Sequence, residues 1–162
     1  MEKQESGIEE LKGEYEGIRK KYDLPDFKIL NEDFGIEKIA DSETEVLIRE
    51  VRKFIVDKLA NYMRFIESIL NPSNAPIFIF SIIKLLDAED KKKLEEIYKE
   101  MMKSEVKFIE LDLEFNEEKE ADFIKDAYNF WQIVKKDLLK ITGKISGRWD
   151  EKAEVNSKGY FG

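Results

Sequence analysis

Asn71-Pro72-Ser73-Asn74-Ala75-Pro76-Ile77-Phe78-Ile79-Phe80-Ser81-Ile82-Ile83-Lys84-Leu85-Leu86 is the stretch that the rest of the chain has to accommodate. It opens as a polar hinge with two prolines and becomes the most apolar segment of the protein. Eight of the ten residues from Ile77 to Leu86 are large and apolar, leaving only a thin polar seam at Ser81 and Lys84. A helix apolar nearly all round must be buried nearly all round. The segment is therefore expected to double back along longer helices and complete a four-helix core. The alternative is a helix left partly uncovered for a partner or a second copy, with Phe78, Phe80, Ile82 and Leu86 at the contact.

The flanking segments supply the long helices. Upstream, Asp41 or Ser42 reads as an N-cap, with Glu45 three residues after Ser42 as in a capping box. From there to Leu70, Leu47, Val51, Phe54, Ile55, Leu59, Tyr62, Ile66, Ile69 and Leu70 make a broad apolar stripe. Downstream, Asp87 reads as the next cap. Leu94, Ile97, Met101, Ser104, Phe108, Leu111 and Phe115 then recur in a 3-4 alternation, widened by Tyr98, Met102, Ile109 and Leu113. Asn116 caps a last helix to Ile145, with Ile124, Tyr128, Trp131, Val134, Leu138, Ile141 and Ile145 on one face. So short a connection makes these last two helices antiparallel neighbours.

Toward the N-terminus, Ile8, Leu11, Tyr15, Ile18 and Tyr22 form a coiled-coil-like seam. Gly7, Gly13 and Gly17 weaken it by about 1 kcal/mol each. Leu24-Pro25 ends that helix, because the residue before proline is pushed out of the α region. Phe27, Leu30 and Phe34 can then share a face in a short helix before Gly35. Beyond Ser146 the periodicity fades.

The expected architecture is all-α. It is an antiparallel bundle of three long helices and one short, strongly apolar helix, with N-terminal helical segments packed outside. By residue, 1–23 is a loosely docked helix, 24–145 the bundle and 146–162 a flexible tail carrying Trp149, Tyr160 and Phe161.

Composition narrows the chemistry. Among 162 residues, 40% are charged and 19 are Ile, and the net charge is −8. Abundant Ile, Lys and Glu is a thermophile's bias and equally that of an AT-rich genome. There is no Cys and no His. That excludes disulfides, a thiolate nucleophile and the commonest general base and metal ligand. It also rules out the Glu-x-x-His di-metal sites of helical bundles. All-α nucleotide pyrophosphohydrolases pair Glu-x-x-Glu with Glu-x-x-Asp around magnesium. Glu117 and Glu120 resemble the first half, but 43–70 holds no Glu-x-x-Asp. The dense acids Glu110, Asp112, Glu114, Glu117, Glu118, Glu120 and Asp122 read first as a solvated hairpin tip, then as a contact for a basic partner, and last as oxygen ligands for Mg²⁺ or Ca²⁺, since residues two apart on a helix do not face each other. Ser81 has no base to activate it, and no phosphate loop is present. No secretory signal and no run of about 20 apolar residues occurs, so a cytoplasmic protein without a membrane span is expected.

No catalytic, metal or cofactor residue stands out, and the expectation is a non-enzymatic protein-protein interaction or assembly protein. Its contacts would be an unidentified protein or a second copy, through Phe78, Phe80, Ile82, Leu86, Trp149, Tyr160 and Phe161. The rival is an accessory nucleic-acid-binding protein using Arg49, Arg52 and Lys53, which share a helix face, against an unfavourable overall charge.

Overall fold

The computed structural model describes the backbone of residues 2–42 and 44–158 and the side chains of 6–42 and 44–149. These residues form six α-helices, two 3-10 segments and no strand. The helices are α1 (Glu2–Tyr22), α2 (Phe27–Phe34), α3 (Leu47–Leu70), α4 (Ile77–Ile83), α5 (Ala88–Leu113) and α6 (Glu117–Lys158). The long helices α3, α5 and α6 pack together. Two compact units divide the chain: Met1–Asn61 with Met102–Trp131, and Tyr62–Met101 with Gln132–Gly162.

In the first unit α1 is tied down at several points. Leu11 and Tyr15 are buried, and the Tyr15 hydroxyl donates to the Pro25 carbonyl at 2.6 Å. The Tyr15 ring meets Phe27 edge-on at 5.5 Å. Burial raises the Tyr15 pKa above the ordinary phenol range. The helix ends in a Schellman turn: Asp23 takes a left-handed φ of 53°, and the Leu24 N–H reaches back to the Arg19 carbonyl at 3.2 Å. Leu24 is buried there. At the same end, Lys21 Nζ and the Tyr22 hydroxyl bind Glu117 Oε2 at 2.9 and 2.6 Å.

Asp26 caps α2 by accepting from the Lys28 N–H. Gly35, at φ 69°, closes the helix with its N–H on the Asn31 carbonyl. Leu30 and Phe34 are buried and Phe27 partly so, the face expected from their spacing. The start of α3 is a correction: it lies at Leu47, not after a cap at Asp41 or Ser42. Ile36 and Ile39 are both buried and draw residues 36–41 into a 3-10 segment. Ser42 closes that segment, its N–H and its hydroxyl both donating to the Ile39 carbonyl.

In the second unit the core is Ile66, Ile69, Ile79, Leu85, Leu86, Leu94, Ile97, Met101, Val134, Leu138 and Ile141. Here the sequence expectation fails most clearly. Only Ile79 of α4 is buried, while Ile77 is 87% exposed, Phe78 55% and Phe80 45%. Seven residues after Pro76 make about two turns, and the two leucines that follow, Leu85 and Leu86, go into the core. Hydrophobicity measures the drive to be covered but not whether a short helix between hinges can be reached on all sides.

Asp87 and Asp90 cap α5 reciprocally, each accepting from the other's N–H, at 2.9 and 3.3 Å. This is the capping-box arrangement with Asp in the third position. Lys144 Nζ lies 2.6 Å from Asp90 and 3.6 Å from Asp87. Arg148 adds an ion pair to Asp87 and donates to the Leu85 carbonyl. Those contacts hold α6 where the sequence ends it early. The helix continues past Ile145 to Lys158, because no proline interrupts it and extending a formed helix is far easier than nucleating one.

Two measurements check these caps. Asn116 accepts from the Lys119 N–H at 2.9 Å, so Asn116→Ala is expected to lower stability by about 1 kcal/mol in urea unfolding. The Asp90 N–H, followed by Lys144, holds the Asp87 carboxyl below its ordinary pKa. The unfolded chain therefore binds the extra proton first, and this stabilisation is present above the ordinary aspartate range and lost as pH falls through the depressed value. Asp87→Asn is expected to flatten the acid limb of a stability-versus-pH curve.

Candidate interaction surfaces

The three cations expected on one face of α3 have separate fates. Arg52 has no exposed surface. Its Nε meets the carboxylate of Glu120, which is also fully buried. Its guanidinium lies 4.6 Å over the Phe108 ring, and Nη2 is 3.4 Å from Asp112 Oδ1. Arg49 Nη2 reaches the same Asp112 carboxylate at 3.3 Å and its carbonyl at 3.1 Å. Lys53 pairs with Glu50 on its own helix at 2.8 Å. Burial pushes the Asp112 carboxyl up, but the two arginines outweigh it and the net shift is downward. For Glu120 burial dominates and raises the pKa against the pull of Arg52. Arg52 Nη1 and Glu120 Oε1 make no hydrogen bond among the described residues.

This cluster joins α3, α5 and α6 within the first unit. It also accounts for much of the acid-rich hairpin tip: Asp112 and Glu120 answer the arginines, Glu117 answers α1, and Asp122 pairs with Lys125 at 3.0 Å. Among the described residues no three carboxylates converge in a way that could hold a metal ion.

The apolar candidates also divide. Phe78 and Phe80 stand exposed on α4 beside Ile77, and Trp149 is exposed on α6. Ile82 is partly buried. Leu86 is buried, a correction to its place in the expected contact, because it turns into the core just ahead of the Asp87 cap. Tyr160 and Phe161 lie outside the described residues.

A further surface escaped the sequence reading. On the part of α5 in the first unit, Met102, Val106, Ile109 and Leu113 are all exposed, Leu113 at 83%. Three of them look like a widening of the buried face. Their spacing of 4, 3 and 4 residues instead defines a second stripe within an arc of about 60°. That spacing, set against the buried stripe Leu94, Ile97, Met101 and Leu111, was the available signal. Beside the seam, between α5 and α6, runs a groove of about 410 Å³ with Leu111 and Phe123 in its floor.

No family model, curated protein or solved structure matches this chain. Among the described residues no helix is long and apolar enough to cross a membrane.

Removing one member of a buried ion pair strands the other, whereas an apolar replacement of both is often neutral. Arg52→Met is expected to cost about 3–5 kcal/mol in urea unfolding, and Arg52→Met with Glu120→Leu to recover most of it. A double variant as unstable as the single one would contradict this account of the pair.

Proposed function

We propose that this protein is a non-enzymatic interaction or assembly protein, an antiparallel bundle of three long helices that presents apolar side chains to a protein partner. A cytoplasmic setting goes with that reading. The observation that carries it is the exposure of Phe78 and Phe80 on α4, with Ile77 beside them. Single exposed apolar residues are ordinary, but clustered large ones on one short element mark contact surfaces. Phenylalanine is also among the residues enriched where proteins meet.

Nucleic acid binding has weaker footing. Arg52 has no surface to offer a phosphate, and Arg49 and Lys53 are already engaged by carboxylates.

Crosslinking in native lysate tests the proposal, comparing the wild-type chain with a Phe78→Ser/Phe80→Ser variant whose helicity is confirmed by circular dichroism. A crosslinked protein species, lost or strongly reduced in the variant, is expected. A wild-type chain that crosslinks to nothing would count against the proposal.

A further inference from the structure

The exposed seam of α5 has the geometry of half a coiled coil. Met102, Val106, Ile109 and Leu113 alternate by 4 and 3 residues over about 16 Å of helix, and all four are exposed. Such a seam is completed by a second helix that brings apolar knobs of the same spacing.

The charges beside the seam select the helix. The flanking positions are Lys103 and Glu110 on one side and Glu105 and Asp112 on the other, three acids to one base. Glu114 follows on the groove side, where Glu110, Glu114, Asp122 and Asp126 line the groove with Lys107 and Lys119, four acids to two bases, and Lys107 is held by Asp126 at 3.6 Å. Glu110 and Glu114 lie at the C-terminal end of α5, where the helix dipole is negative and cations are preferred, yet α5 carries no basic residue in its last turn. Asp112 in that same turn is compensated by Arg49 and Arg52. Glu110 and Glu114 form no ion pair among the described residues. Two carboxylates without a directly bonded cation at a negative helix end gain when a cation from outside arrives.

A second copy is a poor complement. Parallel pairing would set Glu105 against Glu110. Antiparallel pairing would let Lys103 meet Glu110 but would bring no cation to Glu105, which faces the already engaged Asp112, or to Glu114. The net charge of −8 adds long-range repulsion to either.

We infer that the α5 seam docks an amphipathic helix of a partner protein whose apolar stripe is flanked by lysine or arginine, with Glu110 and Glu114 as the carboxylates that select it. This rests on the interaction reading above and adds a second contact surface, in the other unit, with a defined chemistry.

Two synthetic peptides of about 20 residues, long enough to be helical, test it against the full-length chain by fluorescence anisotropy. Both carry leucines at 3-4 spacing, one flanked by lysines and its twin by glutamates. The lysine peptide is expected to bind about tenfold or more tightly than its twin, and less tightly as salt is raised. Ile109→Lys should abolish binding, and Glu110→Lys/Glu114→Lys should reverse the preference. The latter variant puts cations at the negative end of α5, which favours the helix, and its fold is checked by circular dichroism. Equal binding of both peptides would overturn the charge assignment. A concentration-dependent dimer in sedimentation that Ile109→Lys dissolves would give the seam to a second copy and overturn it likewise. If neither peptide binds while the lysate partner is still captured, the basic-helix assignment falls and the interaction reading stands.

Discussion

Arg52 and Glu120 are the constraint around which the first unit is built. Both are removed from water, and neither could be so at tolerable cost without the other. Arg52 is on α3, Glu120 in the first turn of α6, and Phe108 and Asp112, which complete the guanidinium's surroundings, are on α5. One side chain therefore touches all three helices at once. Apolar contacts tolerate volume-conserving repacking at modest cost, whereas a buried guanidinium that loses its carboxylate is left an uncompensated charge. The pair makes a weak case for stability and a stronger one for a single arrangement of α3, α5 and α6.

Much of this was legible in the sequence, but unevenly. The caps were readable because their chemistry is local: Asp87 and Asn116 each bind an N–H three residues on, and Leu24-Pro25 does end α1. The stripes of α3 and α6 were readable because their periodicity is long. The fate of Arg52 was not, since a basic residue beside an apolar stripe looks the same whether it snorkels to solvent or meets a carboxylate 68 positions along the chain. Glu120 likewise looks like one of several first-turn acids. The α4 segment shows the opposite failure. Its composition demanded cover, and the chain supplied it only at Ile79 and at Leu85 and Leu86 beyond its end.

Charge went inward on α3 where it was expected at the surface, and apolar side chains stayed outward on α4 and α5 where burial was expected. The acids at the end of α5 follow the same logic: Asp112 is satisfied from within the chain, whereas Glu110 and Glu114 face the groove beside the exposed seam. The apolar side chains left exposed on α4 and α5 are where contact with another protein is proposed.

Adjacent methionines offer the most direct measurement of whether that surface is open. Met101 is buried in the second unit and Met102 is half exposed in the first. Brief peroxide oxidation of the dilute native protein, read by peptide mass spectrometry, reports each thioether separately. Met102 is expected to oxidise rapidly in the isolated chain while Met101 stays protected until unfolding, and to become protected when a partner helix docks. Equal protection of Met101 and Met102 in the isolated chain would mean that the α5 seam is already covered, and would contradict the proposed docking.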